Sequence, residues 1–217
     1  MVDLLRYDSL RNIFIISFLL HFLTSFQFTA PELALGDYSL DVYLNGSLIG
    51  FSEVLGSLLC YFIVDKYPRK KMILLTEAIS LGLALLLFFF FSCHENCSRG
   101  AQLFQTVGLF CFRFVTTLTY NYFCMVQYEV FPNQVRGLAL QGTSIASGLA
   151  VVVVPTVMVW SKTVGLSIMA SFGLSCLLAI IFTVGLPETF GVEPPEMIEE
   201  LRYDHQELEA TEKIKDY

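Results

Sequence analysis

Five polar residues, Arg113, Thr117, Tyr120, Cys124 and Gln127, recur at i, i+4, i+7, i+11 and i+14 inside an otherwise apolar run. At ~3.6 residues per helical turn that spacing makes one stripe, with Asn121 beside it. A guanidinium, hydroxyls and amides on one face can hold an anion or hydrogen-bond a polar solute. Lipid would reject such a stripe, so it faces protein or a watery cavity. Arg113 also has a plainer reading. It lies 16 residues before Glu129, or ~24 Å along a helix, so its stem could snorkel to the outer interface. Helix packing through interhelical hydrogen bonds is equally open for the other stripe residues. Glu53 falls near the middle of the second apolar run. A carboxylate there must be paired or protonated, either as a structural ion pair or as part of a solute pathway.

A second group lies between apolar runs. Asp65, Arg69 and Lys70 sit in "DKYPRKK", and Glu129 and Arg136 in "YEVFPNQVRG". Charge pairs at helix ends are desolvated when helices close and hydrated when they part, so making and breaking them involves modest net energies. These residues could also simply anchor helix ends and set topology. The expected arrangement is an Asp65/Arg69/Glu129/Arg136 network beneath the helices.

Nothing points to an enzyme or a cofactor. The histidines His21, His94 and His205 are scattered, and no metal-binding His pair, glycine-rich phosphate loop or nucleophile elbow occurs. Cys93 and Cys97 flank "HEN"; a local disulfide or free thiols are preferred there over a metal. Cys60, Cys111, Cys124 and Cys176 read as small buried hydrophobes. Overall acidity without a basic face excludes nucleic acid as a partner.

The elements that must position these groups follow from composition. The chain has 217 residues, 55% hydrophobic and 15% charged, with mean hydropathy +0.63. A soluble domain carries about 25% charge, so this chain has too little polar surface to cover a globule. Six apolar runs, residues 13–35, 42–64, 72–91, 101–128, 138–160 and 163–186, are each long enough to cross a hydrocarbon core of ~30 Å as helices. The fold class is all-α integral membrane, with six transmembrane helices over residues 1–187 and an acidic tail over 188–217. The fifth and sixth runs meet at Ser161-Lys162, which demands a very short connection. No cleavage site follows the first run, which therefore reads as a retained span.

Lys and Arg in the short loops orient the bundle. Arg6, Arg11, Lys66, Arg69, Lys70, Lys71 and Arg136 share one side, against Arg99 and Lys162 with the acids Glu32, Asp37, Asp41 and Glu95 on the other. Both termini are expected on the cytoplasmic or matrix side. The tail from Glu188 holds ten acids and three bases, which accounts for the whole formal charge of −7. Pro194 and Pro195 could open a tail helix with Ile198, Leu201 and Leu208 on one face, solvated or docking a partner. Gly142 and Ser147/Gly148 allow close helix approach, and Pro155 should kink the fifth helix.

"YEVFPNQVRG" resembles the inner loop between the tenth and eleventh helices of organic cation and anion transporters, members of the major facilitator superfamily. Other pieces follow in the same order. "LTSFQF" (residues 23–28) resembles the seventh helix and "DVYLNGSLIGFSEVLG" (41–56) the eighth. "DKYPRKK" is similar to the Asp-Arg-x-Gly-Arg-Arg loop, and "LPETFG" (186–191) to the motif closing the last helix. The likeness covers nearly the whole chain but only the C-terminal half of a twelve-span transporter.

The resemblance implies a substrate pathway through Phe28, Glu53, Arg113, Thr117, Tyr120 and Asn121, with inner-face gating by Asp65, Arg69, Lys70, Glu129 and Arg136. It also shows departures. Pro68 replaces the loop glycine, Thr29 the second of two paired aromatics, and Gly148 a charged residue that helps select substrate charge. The expected function is transport of a small organic solute as a half-transporter pairing with a second six-helix half. The alternative is a transporter-derived structural subunit of a larger membrane complex. Membrane lipid is a partner under either, and a separately encoded half or an incomplete gene model would both fit a start near the seventh helix.

Overall fold

In the computed structural model, residues 8–33, 42–92, 99–164 and 167–191 are described. They form six α-helices and no strand: α1 Asp8–Leu33, α2 Val42–Ile63, α3 Arg69–Ser92, α4 Arg99–Val130, α5 Asn133–Val164 and α6 Ile168–Val184. Helices are the consequence of solvent, because backbone groups in hydrocarbon must be satisfied within their own segment. Four stretches, Leu10–Leu33, Tyr43–Ile63, Arg69–Phe89 and Asn133–Val164, are long and apolar enough to cross a membrane. α4 is as long as α5, at 32 residues, but its polar stripe dilutes its apolar character. α6, at 17 residues, spans only ~26 Å.

The surface inverts the usual soluble arrangement. Phe51, Val54, Phe62, Phe89, Val107, Val152 and Ile181 are exposed, while Ser17, Thr24, Gln27, Glu77 and Arg113 are buried. Outward apolar side chains meet lipid tails, which leaves packing and polar contacts to hold helix to helix. α1 packs on α5, α6 and α4; α3 packs on α4 and α6; α2 leans on α4. One apolar cluster joins Phe26, Leu87, Phe112, Val154 and Phe172, with Phe112 and Phe172 stacked at 5.3 Å between centroids. A second gathers Leu20, Ile73, Tyr122, Phe123 and Val130. Buried hydroxyls are satisfied largely within their own helices: Thr24, Thr119 and Thr183 each donate to the carbonyl four residues back.

Several helix ends differ from the sequence expectation, α1 and α5 each starting five residues earlier, at Asp8 and Asn133. The break expected at Ser161-Lys162 does not occur, for α5 runs on to Val164. Neither residue interrupts a helix; Ser161 turns its hydroxyl back to the Met158 carbonyl at 2.9 Å. The new helix instead begins at Ser167, whose side chain caps the Met169 N–H. α3 starts three residues earlier than expected, directly after Pro68, whose carbonyl accepts from Met72 N at 3.1 Å. Proline at a helix entrance loses a donor that would be unpaired anyway. Pro132 opens α5 the same way, its carbonyl accepting from Arg136 N at 2.8 Å. Pro155 sits inside α5, which continues through it.

Two of the small residues permit close approach and one does not. A Cβ on Gly142 would meet the Phe14 ring at 2.8 Å, and one on Gly56 would meet the Phe114 carbonyl and Thr117 at 3.1 Å. A Cβ on Gly148 meets nothing within 4 Å, so the close-packing role expected for it is corrected: this glycine borders open space. Gly56→Val is therefore expected to cost about 1–3 kcal/mol by prying α2 from α4. Gly148→Ala should stay within ~0.5 kcal/mol of the parent. Monodispersity after heating in mild detergent reads both, and equal losses would contradict this packing.

Candidate functional site

The polar stripe of α4 faces protein, and α1 and α2 cover it. Arg113 is fully buried, and its Nη2 donates to Glu32 Oε1 at 2.6 Å and to Glu53 Oε1. Glu53 comes from α2 and Glu32 from the end of α1, so one guanidinium ties three helices. Beneath it lies the Phe28 ring, with Arg113 Cζ 3.6 Å from the centroid, a cation–π contact strengthened where water is excluded. Phe28 in turn stacks on Tyr120 at 5.0 Å. Phe28, Glu53, Arg113 and Tyr120 are thus one cluster.

The remaining expected pathway residues lie at its edge. Thr117 gives its hydroxyl to the Arg113 carbonyl at 2.8 Å and packs its side chain toward Gly56. Asn121 Nδ2 donates to Ser57 Oγ of α2 at 3.2 Å. Lower on the stripe, Gln127 Nε2 meets His21 Nδ1 of α1 at 3.3 Å, and the His21 ring sits edge-on to Tyr120 and Phe123.

Two carboxyl groups face one guanidinium, and the Glu32 and Glu53 side chains remain 47% and 32% exposed while Arg113 has no exposure. The cluster therefore presents one carboxyl more than the guanidinium needs, on its accessible side. Arg113 Nε and Nη1 have no partner among the described residues. The outward-snorkelling alternative does not hold, because both carboxylates hold the guanidinium inside the bundle.

The second group lies at the other end of α4. Arg69 Nη1 donates to Glu129 across α3 and α4, with the two side chains 13% and 18% exposed. Asp65 approaches Arg69 at 3.8 Å but is 84% exposed, and a pair so open to water contributes little. Two expected members stand elsewhere. Arg136 donates from Nε to its own loop carbonyl, Phe131 O, at 3.1 Å and makes no ion pair among the described residues. The four-residue network is thus corrected to a three-residue one. Lys70 leaves the cluster as well. Its Nζ caps the end of α6 at Val184 O and Leu186 O, at 2.7 and 2.6 Å, a placement that also suits the negative end of a helix dipole. Glu188 complements it by accepting from Lys70 N at the start of α3.

Two groups escaped the sequence reading. Glu32 was visible only as an outer-side acid. Glu77, fully buried on α3 and bonded to Gln27 of α1 at 3.2 Å, was signalled only by being the one acid inside its apolar run. Cys93, Cys97 and the tail helix lie outside the described residues. Among the described residues no cluster of His, Cys, Asp and Glu could hold a metal.

Residues 33–201 match the sugar (and other) transporter family. This chain belongs to that family. It is similar to mouse solute carrier family 22 member 4, at 27% identity over 204 residues covering 93% of this chain and 35% of that protein. Human solute carrier family 22 member 13 is 25% identical over 200 residues, covering 92% of this chain and 35% of its own length. Mouse organic cation/carnitine transporter 2 is 27% identical over 202 residues, covering 92% and 34%. The chain thus spans about a third of the length of these relatives. In fold it resembles a solved peptide transporter, POT, in complex with sulfate, with a TM-score of 0.59 at 14% identity, covering 93% of this chain and 44% of that one. The protein is an all-α integral membrane protein built like one half of a major facilitator transporter.

Removing the guanidinium strands two carboxylates, whereas removing one carboxylate leaves a balanced pair. Arg113→Gln is expected to cost ~3 kcal/mol or more, and Glu32→Gln less than ~1 kcal/mol because Glu32 is half exposed. Adding Glu53→Gln to Arg113→Gln should recover part of the loss. Thermal denaturation of the three variants and the parent in detergent checks this, and an Arg113→Gln variant as stable as the parent would refute it.

Proposed function

We propose that the chain transports a small organic solute as one six-helix half of an alternating-access carrier, with the Arg113 cluster facing the solute. The observation that carries this reading is the cluster itself: a buried guanidinium over an aromatic ring, with two partly exposed carboxylates. A purely structural ion pair needs only one counter-charge. Glu32, the more exposed of the two carboxyls, can turn from Arg113 to a positive group on a solute while Glu53 keeps the guanidinium paired, and Phe28 and Tyr120 offer that solute an apolar stacking surface. The family's members support transport in general, and one of the names above includes organic cations.

Arg69 and Glu129 then serve as a latch at the inner face, closed in this conformation, with Asp65 as its exposed outrider. Glu129 Oε2 and Arg136 Nη2 each lack a partner here, and a shifted α5 entrance could join them once Arg69 withdraws. The orientation that goes with this reading puts both termini and the residues 188–217 tail on the cytoplasmic or matrix side, below a 1–187 bundle. All six helices then cross, α4 with its stripe shielded by α1 and α2, and α6 through a thinner part of the hydrocarbon.

One observation favours the second reading, a transporter-derived structural subunit. Gly148 borders open space where the resemblance calls for a charged, substrate-selecting side chain. Native mass after mild detergent extraction tests the choice. A partner of similar size supplying another half supports transport, and radiolabelled organic-cation uptake by that complex should then fall at least tenfold in Glu32→Gln. A large particle of fixed stoichiometry without uptake would overturn it. The latch has its own test: reversing either charge (Arg69→Glu or Glu129→Arg) should abolish uptake, and the double reversal should restore most of it. Failure of the double reversal in a folded protein would count against the latch.

A further inference from the structure

Glu77 and Gln27 lie outside both clusters, in the interior of the bundle between α3 and α1. Both side chains are fully buried. Gln27 Nε2 donates to Glu77 Oε2 at 3.2 Å. Two atoms are left over: Glu77 Oε1 and Gln27 Oε1 have no partner among the described residues. Both are acceptors, so an ionised Glu77 would leave two buried lone-pair oxygens unsatisfied on neighbouring groups, a costly state in low dielectric. A single proton removes the problem. Placed on Glu77 Oε1 it turns that oxygen into a donor, and a carboxylic acid and a primary amide then pair through two parallel hydrogen bonds.

Among the described residues no charge on the surrounding elements faces Glu77. From α6 the Cys176 thiol, a weak donor, hydrogen-bonds the Glu77 carboxyl without bringing a charge, and α6 bears no charged residue. On α4, Arg113 is held by Glu32 and Glu53 and Glu129 by Arg69, while Thr119 is bonded to Thr76, the neighbour of Glu77, at 2.8 Å. On α1, His21 faces Gln127 and Glu32 faces Arg113. An unpaired carboxylate at membrane depth takes up a proton rather than remain charged.

We infer that Glu77 is a proton-binding site, carried as the neutral acid with its hydroxyl donating to Gln27 Oε1, and that it releases the proton when α1 withdraws Gln27 and water reaches the carboxyl. Proton uptake forms one O–H bond and consumes no other reactant. The site is connected to the solute-facing cluster by one residue of chain. Gln27 precedes Phe28, the ring beneath Arg113, so a movement of α1 that changes the Arg113 site also loads or unloads Glu77. In the protonated state the carboxyl–amide pair fastens α1 to α3.

Infrared spectroscopy of the full chain, extracted in mild detergent with whatever co-purifies and held at neutral pH, tests this directly. It needs no solute, so its outcome is independent of the transport reading. The carbonyl stretch of a protonated carboxyl should be present in the parent and absent in Glu77→Gln, which keeps volume and neutrality. In Gln27→Leu the same band should persist and move to higher frequency as the acid loses its amide partner. A parent without the band, or a band unchanged in Glu77→Gln, would overturn the assignment. Should Glu77→Gln fail to accumulate, the Gln27→Leu spectrum decides: an upward shift supports the site and an unmoved band refutes it.

Discussion

A guanidinium that cannot reach water sets the terms for the centre of this bundle. Arg113 has no exposed surface, and a lone cation in such surroundings would cost far more than the helices gain by packing. Its counter-charges must therefore come from other elements. Glu53 obliges α2 to lie against α4, and the glycine one turn further on, Gly56, is what lets that helix approach closely enough. Glu32 draws in the end of α1, and Phe28 supplies a face one turn before it. The stripe reading, the small residue on α2 and the placement of α1 are thus consequences of one charge that had to be satisfied. Buried ion pairs seldom add net stability over a packed apolar alternative, so this one is better understood as fixing which helices meet and where.

The end of the bundle that carries Arg69 and Glu129 is organised by a different balance. Arg69 and Glu129 are mostly but not wholly buried, near enough to water to separate without a large penalty. Pro68 and Pro132 open α3 and α5 beside them, each setting a rigid entrance angle where a glycine would leave freedom. Replacing a loop glycine with Pro68 therefore removes flexibility from the turn while leaving the adjacent Arg69 correctly placed. The turn is stiffer than the one the resemblance implies, and the Arg69–Glu129 pair forms beside it all the same.

Much of this was legible along the chain. Helices were readable because hydrocarbon leaves no alternative for a run of apolar residues, and the α4 stripe because 3.6-residue periodicity is local. Glu53 and Arg113 were each visible as ionisable residues in apolar runs, yet their pairing was not, since 60 residues separate them and nothing local encodes which helix covers which. Glu32 looked like an outer-side acid at the end of the first apolar run; only the packing of α1 on α4 brings it within reach of Arg113. Arg136 misled in the opposite direction. Its motif suggested an ion pair, but a carbonyl five residues back in the same loop, Phe131 O, was the nearer acceptor. Short-range geometry won over charge.

α1 holds the two ends of this account together, because its two sides are held by different physics. One side is apolar and close: Phe26 and Ala30 join Ala150 and Val154 in a shared core. Such packing is all-or-none, since separating it opens voids. The opposite side is polar: His21 to Gln127, Gln27 to Glu77, Phe28 to Tyr120 and Arg113, Glu32 to Arg113. Contacts of this second kind exchange for water or for a ligand with small net change in free energy, provided every group finds a substitute. A helix bonded rigidly on one face and exchangeably on the other moves as a unit with its rigid partner. Displacing α1 and α5 together would alter the Arg113 site and the Glu77–Gln27 pair in one step, while the apolar seam between α1 and α5 stays closed.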